Sequence, residues 1–155
     1  MRLRLAERIL RREIERYRRE HQAPLLSRAS ELFGRITLGS FTGLRPEHGD
    51  NDTAVVVGVR PDGGGLGIGA MSDGTRDQLY LALRLASLER HVSRSEPMPF
   101  VVDDILIKFG DDRSRATLEA LAEFAETAQV LFFTHHARLA AIAEAVGDGV
   151  YVREL

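Results

Sequence analysis

The chain has 155 residues, of which 44% are hydrophobic and 28% charged, and its net charge is −2. This length and composition predict one folded domain with a substantial core. No apolar run approaches the roughly 20 residues of a membrane span, and the arginine- and glutamate-rich start excludes a secretory signal. The absence of cysteine excludes disulfides and thiolate metal sites, so we expect a soluble, cytoplasmic protein.

The first segment predicts one amphipathic helix over residues 2 to 22. Leu3, Leu10 and Tyr17 recur every seven residues among charged positions, as at the end of a coiled coil, and Pro24 is expected to stop the helix. Residues 1 to 20 hold eight arginines and four glutamates, so the helix can contact DNA phosphates. The favoured alternative is a solvated face with internal ion pairs. We divide the chain into 1–24 and 25–155.

The rest of the chain predicts alternating strands and helices. In order, we expect a helix over 25–33 capped by Gly34, a β-rich stretch over 36–44, a strand over 54–60 followed by a glycine-rich turn over 61–69, a buried helix over 75–92, a strand over 100–103, a helix from Asp111 or Asp112 to 127, a strand over 130–134, a helix over 137–146 stopped by Gly147, and an edge strand over 150–152. The order after residue 98 predicts an α/β fold with a parallel sheet covered on both faces.

Three short motifs lie where this fold can carry chemistry. Ser72 and Gly74 open the buried helix, where a hydroxyl, free N–H groups and the helix dipole suit a phosphate; an ordinary N-cap by Ser72 or Asp73 is the alternative. Asp103 and Asp104 end a strand, where one acid can hold Mg²⁺ and the other can orient or deprotonate water. Two loop-capping acids are the alternative.

The third motif, Thr134-His135-His136, also ends a strand. His135 can donate a hydrogen bond to a γ-phosphate, and a partly buried structural histidine is the alternative. The three motifs follow one another in order, about thirty residues apart, which makes the set more specific than any single member.

This ordered set resembles the ABC-type ATPase heads of the SMC, RecF and RecN group. The likeness is greatest to the C-terminal end of YhaN-like proteins, in the stretches MSDGTRDQLYLALRLA, PFVVDDILIKFGDDRSRATLEAL and QVLFFTHH. The resemblance covers about residues 25 to 146. It implies the C-terminal lobe of a P-loop NTPase head, a mostly parallel sheet with flanking helices that follows the returning helix of a coiled coil.

The resemblance implies a role for the start of the buried helix. Ser72 and Gly74 belong to the signature motif, which contacts the γ-phosphate of ATP bound on the opposite head, and Thr75 and Arg76 join the nucleotide-binding set. Asp73 replaces the first signature glycine and puts a negative charge near a phosphate site.

The resemblance also implies the hydrolytic residues. Asp103 is the Walker B acid that serves Mg²⁺, and Asp104 stands at the position of the catalytic base, where many relatives have the longer glutamate. His135 is the switch histidine. Residues 109 to 112 correspond to the D-loop, in which Gly110 stands where an aspartate is expected and Asp111 is the displaced substitute that contacts nucleotide.

The chain has no P-loop. Its single lysine, Lys108, is followed by Phe109 and lacks the Gly-x-x-x-x-Gly-Lys-Ser/Thr frame that cradles the β- and γ-phosphates. In the family that the chain resembles, the P-loop lies in an N-terminal lobe beyond the coiled coil. We therefore expect no ATP hydrolysis by this chain alone. The expected partners are a P-loop lobe and a second head in an ATP-sandwiched dimer. DNA is a further candidate, in repair or chromosome maintenance.

Two other functions stay open. One is a metal-dependent hydrolase or nuclease that binds Mn²⁺ or Zn²⁺ through acids and histidines at adjacent strand ends, namely Asp103, Asp104, His135 and His136. The other is a non-catalytic interaction module that binds partners through its amphipathic helix and an exposed sheet edge.

Overall fold

The computed structural model describes residues 23–48, 54–147 and 149–154. The helix predicted over 2 to 22 lies outside these residues, and the proposed division at residue 24 stays a prediction. The first described element, α1, covers residues 23 to 36. It includes Pro24, which the sequence predicts as a helix stop. Proline can lie in this helix because its fixed φ near −65° is itself helical.

Helix α1 ends three residues later than predicted. Gly34 lies inside the helix, and the chain turns only at Leu38 and Gly39, whose φ angles are 54° and 74°. The Gly39 N–H donates to the carbonyl of Gly34 at 2.9 Å and the Leu38 N–H to that of Arg35 at 3.0 Å, which is the paired pattern of a Schellman motif. The predicted cap at Gly34 is therefore wrong, because the left-handed residues that close the helix follow it.

A three-stranded antiparallel sheet follows α1. It contains β1 (Gly43–His48), β2 (Ala54–Val59) and β3 (Gly65–Gly67), in the order β1-β2-β3. The strand predicted over 54–60 is confirmed, but the β-rich stretch begins only at residue 43. Strand β3 falls in the glycine-rich segment predicted as a turn, because the turn occupies only residues 61 to 63 and the chain then pairs back onto β2.

Helix α2 (Asp73–Val92) is the long buried helix that the leucine and alanine pattern predicts. The buried side chain of Gln78 links it to α1, because Nε2 donates to the Ile36 carbonyl at 2.6 Å. That carbonyl belongs to the last turn of α1, where the carbonyl oxygens have no N–H partner within the helix. A bidentate pair between Arg28 and Glu89 joins the same two helices, with N–O distances of 2.7 and 2.9 Å.

The final segment contains the predicted parallel strands. Strands β4 (Phe100–Asp103) and β5 (Val130–Phe133) pair in parallel with Asp103 opposite Phe133. Helix α3 (Asp111–Ala125) connects them, and α4 (Ala137–Glu144) follows β5. Phe100 and Phe124 pack edge to face with centroids 6.1 Å apart, so the inner face of β4 closes the core against α3.

Several predicted boundaries need correction. Gly110 occupies the N-cap of α3, and Asp111 and Asp112 lie in the first turn, where their charges favour the positive end of the helix dipole. Helices α3 and α4 each end two residues earlier than predicted. Residues 150 to 152 form no strand, so the predicted edge strand is wrong. Gly147 and Gly149, just before this segment, take positive φ instead of the extended backbone of a strand.

The α/β fold class is confirmed, with parallel pairing between β4 and β5 and antiparallel pairing within β1–β3. The core joins helices and strands of both sheets, including Phe33, Leu79, Leu85 and Leu106. None of the helices in the described ranges is long and apolar enough to cross a membrane.

We expect Gln78→Leu to lower the free energy of unfolding by about 1–3 kcal/mol, because it leaves the buried Ile36 carbonyl without its donor. Urea denaturation measures the change. The exposed Gln129→Leu is the matched control and should change stability by no more than about 0.5 kcal/mol. Equal losses in both variants would contradict the role of the Gln78 hydrogen bond.

Candidate functional site

The parallel pairing of β4 and β5 brings Asp104 and His135 together at the carboxyl edge of the sheet. Each lies just beyond its strand, and Nδ1 of His135 is 2.6 Å from Oδ2 of Asp104. The Thr134 hydroxyl donates to the other carboxylate oxygen of Asp104 at 2.8 Å. The Asp104 N–H donates to the Phe133 carbonyl at 3.0 Å, which fixes the backbone across the two strand ends. The two predicted catalytic residues therefore form one hydrogen-bonded unit.

Asp104 has a left-handed backbone, with φ of 48°. Aspartate tolerates this region better than most residues, because its short side chain can hydrogen-bond locally. The shorter acid at a position where relatives have glutamate thus suits the turn that this chain makes after β4.

The surroundings of Asp104 keep it ionised. The hydrogen bond from Thr134 holds the pKa of the Asp104 carboxyl below its usual value, and the imidazoles of His135 and His136 act in the same direction. An ionised carboxylate can accept a proton, but both oxygens of Asp104 already have partners. Each oxygen has two lone pairs, so Asp104 can still accept a hydrogen bond from a water molecule and deprotonate it.

Asp103 is arranged differently from its neighbour. It is exposed and lines an open cavity of about 510 Å³ together with Asp77, Tyr80, Asp104 and Lys108. Its carboxylate makes no hydrogen bond or ion pair with the residues that the structure describes. Carboxylate oxygens are the ligands that Mg²⁺ prefers, so Asp103 fits the predicted metal role with both oxygens available.

The start of α2 presents the residues predicted to form a signature motif. Ser72 is exposed and caps the helix by accepting a 3.3 Å hydrogen bond from the Thr75 N–H, and the two hydroxyl oxygens are 2.9 Å apart. Thr75 is buried, so it supports Ser72 from behind rather than facing a ligand. The N-cap predicted as the alternative is therefore present, and it leaves Ser72 accessible.

Gly74 contacts the loop that follows Asp104. A Cβ atom at Gly74 would lie 2.9 Å from the carbonyl oxygen of Lys108, closer than real Cβ contacts allow. The glycine therefore serves close backbone packing, and it couples the signature turn to the loop beyond the two acids.

The charge of Asp73 is balanced by neighbouring cations. Its carboxylate is hydrogen-bonded by Arg76 and lies 3.8 Å from Nζ of Lys108, which also lies 3.5 Å from Asp77. The hydrogen bond from Arg76, helped by Lys108, keeps the pKa of Asp73 below its usual value. Arg76, predicted to bind nucleotide, is thus occupied by Asp73, and a phosphate must compete for it.

Asp111 lies apart from these residues. It forms an ion pair with Arg138 of α4, which also donates to the Phe109 carbonyl at 3.4 Å. Arg138 therefore holds the predicted D-loop against the first turn of α4.

One face of the parallel sheet is uncovered. Val101 and Phe133, on adjacent strands, expose 56% and 43% of their surface, and Leu131, Tyr80 and Ile107 are also exposed. Alternate residues of β4 and β5 point to this face, while their neighbours pack into the core. An apolar face of this kind marks a contact surface for another protein element.

Sequence reasoning missed three supporting residues. Thr134 was part of a motif but had no role, although a threonine just before a strand-end histidine is placed to bond a neighbouring acid. Lys108 was considered only for a P-loop, and Arg138 was not considered. No local pattern predicts the Arg138–Asp111 pair, because its partners are 27 residues apart.

Heads of SMC proteins are similar in fold to this chain. An SMC ATPase described for ATP-driven dimerization and DNA-stimulated activation matches 84% of this chain and 78% of its own length, with a TM-score of 0.65 at 17% identity. The Smc head domain with coiled coil and joint from Pyrococcus yayanosii matches 86% of this chain and 26% of its own, with a TM-score of 0.64 at 18% identity. The chain has the fold of an SMC-like head, in its C-terminal lobe.

Two further comparisons bear on this SMC-like lobe. The YhaN protein of Bacillus subtilis strain 168 is 29% identical over 135 residues, which are 86% of this chain and 14% of the YhaN protein. The chain thus spans about a seventh of that relative's length. The Pyrococcus furiosus Smc head bound to the C-terminal domain of ScpA has a TM-score of 0.60 at 18% identity, over 77% of this chain and 30% of that one. No protein-family model matches the chain.

We expect Gly74→Ala to destabilise the lobe, because the new methyl group meets a backbone oxygen that cannot move independently. Forced shifts of this kind cost about 1–3 kcal/mol, more than the gain of up to about 1 kcal/mol from replacing a helical glycine. Chemical denaturation checks the net loss. Gly69→Ala, with open space around its Cβ position, is the control, and a stabilised Gly74→Ala variant would contradict the packing.

We expect Thr134→Val to raise the pKa of Asp104 toward that of a free aspartate, because the largest interaction that favours the charged form is lost. Because the pKa of Asp104 is lower in the folded chain than in the unfolded chain, its contacts stabilise the fold at pH values above the ordinary aspartate pKa. This stabilisation is lost as the pH falls through the lowered pKa. A carboxyl ¹³C titration by NMR follows Asp104. Thr127→Val, whose hydroxyl bonds the Phe124 carbonyl, should leave the Asp104 titration unchanged.

Proposed function

We propose that this chain is the C-terminal part of an SMC-like ATPase and supplies half of an ATP site. In this assignment a separate lobe carries the P-loop that cradles the phosphates. The chain contributes Asp103 toward Mg²⁺, Asp104 and His135 toward the attacking water and γ-phosphate, and the Ser72 turn toward ATP on a second head. ATP hydrolysis then separates the heads. We place this cycle in DNA repair or chromosome maintenance.

The observation that carries the proposal is the joining of Asp104 and His135 at the carboxyl ends of two parallel strands. Ligand sites of α/β proteins lie at this edge of the sheet. The two residues are 31 positions apart in the sequence, yet Nδ1 and Oδ2 are 2.6 Å apart in the fold. With the exposed carboxylate of Asp103 beside them, the edge offers a metal ligand, a base and a hydrogen-bond donor.

The uncovered face of β4 and β5 supports a partner lobe. Val101 and Phe133 lie on the same sheet whose edge carries the acids, so an element that packs on this face also approaches Asp103 and Asp104. The proposed occupant is the P-loop lobe, which would bring the phosphate-binding amides and the lysine of its P-loop to the site.

The signature turn supports a second head as the other partner. Ser72 is exposed at the positive end of α2, and Arg76 and Lys108 lie near it. In an SMC ATPase of similar fold, ATP drives dimerization and DNA stimulates activation. We propose the same kind of head dimer here, with Asp73 as a competing anion that weakens phosphate binding until Arg76 is released.

The metal-dependent hydrolase is less well supported. Asp104, His135 and His136 form a compact cluster, but Asp103 is not part of it, so the four residues do not make one ligand set. That function also leaves the packing of Gly74 against Lys108 without a purpose.

The direct experiment is to combine the chain with the P-loop lobe and measure ATP turnover. We expect no turnover by the chain alone, turnover by the combination, and a loss of at least about 100-fold in Asp104→Ala, since general bases contribute about 10²–10⁴-fold. Glu96→Ala, at an exposed acid of the loop before β4, is the control. Equal turnover by wild type and Asp104→Ala would refute the catalytic assignment.

A further inference from the structure

Three metal-ligating side chains lie together at the carboxyl edge of β4 and β5. Asp104, His135 and His136 each offer one ligand atom, and these atoms lie within 4.8 Å of one another. The two imidazole rings stack with their centroids 4.0 Å apart. We propose that this trio binds a transition-metal ion of the Zn²⁺ class, and that the bound ion inhibits the ATPase.

The donor set favours this class of ion over Mg²⁺. Two imidazoles and one carboxylate suit Zn²⁺, Co²⁺ or Ni²⁺, whereas Mg²⁺ requires oxygen ligands and binds imidazole poorly. Asp103, the carboxylate suited to Mg²⁺, is not a member of the trio. Asp103 at the end of β4 and Asp104 just beyond it would thus serve two different metals.

His136 provides an independent indication of a ligand. Its Nε2 is fully buried and has no hydrogen-bond partner among the described residues. A buried polar atom without a partner costs about 1–3 kcal/mol, so His136 gains by reorienting toward a ligand. Its ring packs on that of His135, which keeps the two histidines on the same side of the strand end.

The surrounding residues allow the trio to adopt metal geometry. Ligand atoms about 2.0–2.1 Å from a tetrahedral Zn²⁺ lie about 3.3 Å from each other. The 2.6 Å contact between His135 and Asp104 must therefore widen by about 0.7 Å. The side chain of His135 is 72% exposed and can rotate, while Thr134 holds the second oxygen of Asp104 and orients the carboxylate from behind.

Binding there would inhibit hydrolysis for a simple reason. The ion takes a lone pair of Asp104 that the proposed reaction needs for the water. It also holds the His135 ring away from its proposed role as hydrogen-bond donor to the γ-phosphate. Three protein ligands leave one coordination position open, which water or a phosphate oxygen can fill. The inhibitory step rests on the proposed function, whereas metal binding by the chain does not.

The test begins with Co²⁺ added to the metal-free 155-residue chain. We expect one equivalent to bind with the visible absorption of a four-coordinate site, to be displaced by Zn²⁺, and to be unaffected by Mg²⁺. His135→Ala and His136→Ala should each weaken binding at least about tenfold. His91→Ala, at an exposed histidine of α2, and Asp103→Asn should bind Co²⁺ as wild type does. Circular dichroism confirms that each variant is folded.

Imidazole NMR signals of the unmodified chain give a second measurement that needs no variant. We expect Zn²⁺ to shift the ring signals of His135 and His136 and to leave those of His48 and His91 in place. Shifts at His48 or His91 instead, or wild-type affinity in both His135→Ala and His136→Ala, would overturn the site. If Asp103→Asn weakened Co²⁺ binding as much as the histidine variants do, Asp103 would be a fourth ligand. That result would also overturn the three-ligand site.

Turnover by the chain combined with the P-loop lobe tests the inhibition. The turnover rate of each variant is expressed relative to its own rate without zinc. The Zn²⁺ concentration that halves this rate should be at least about tenfold higher for His136→Ala than for the unmodified chain. Turnover that Zn²⁺ does not inhibit, despite Zn²⁺ binding to the trio, would overturn the inhibitory role. A combination without any turnover would count against the proposed ATPase and leave the metal-binding result standing.

Discussion

The parallel pairing of β4 with β5 is the constraint on which the site depends. With Asp103 opposite Phe133, the residues that follow each strand, Asp104 and Thr134, meet at one edge of the sheet. A shift of one residue in this register would reverse which side chains point to the core and would separate Asp104 from His135. The inner faces of both strands are held by packing against α3, so the positions of Asp104 and His135 are set by the core.

The same pairing creates a surface as well as a site. Alternation along the strands buries Phe100 and Val102 and exposes Val101 and Phe133. The exposed face continues into the cavity that Asp103 lines, so apolar side chains and a carboxylate lie side by side. Under the proposed function, the segment that covers this face also completes the site.

Much of the fold and part of the site could be predicted from sequence. The strand over 100–103, the buried helix over 75–92 and the parallel order of the last elements follow from hydrophobic patterns, which local packing does not override. The end of α1 and strand β3 could not be predicted, because Leu38 takes a left-handed conformation and a glycine-rich strand carries no β signal.

Residue identities in the site were predictable from strand ends and helix starts, but their interactions were not. The partner of Asp104 is set by register, and the partners of Asp73 and Asp111 are set by how α2, α3 and α4 approach one another. Gly74 shows the difference clearly. Its place in a motif suggests phosphate approach, whereas its close neighbour in the fold is the carbonyl of Lys108.

Hydrogen exchange of the chain mixed with the P-loop lobe tests most directly whether this is half of a head. If it is, the lobe will bind and amide protection will increase in β4, β5 and the loop over 104–110, and further when ATP and Mg²⁺ are added. Lack of binding, or protection confined to β1–β3 with these strands unchanged, would contradict the assignment of the uncovered sheet face to that lobe.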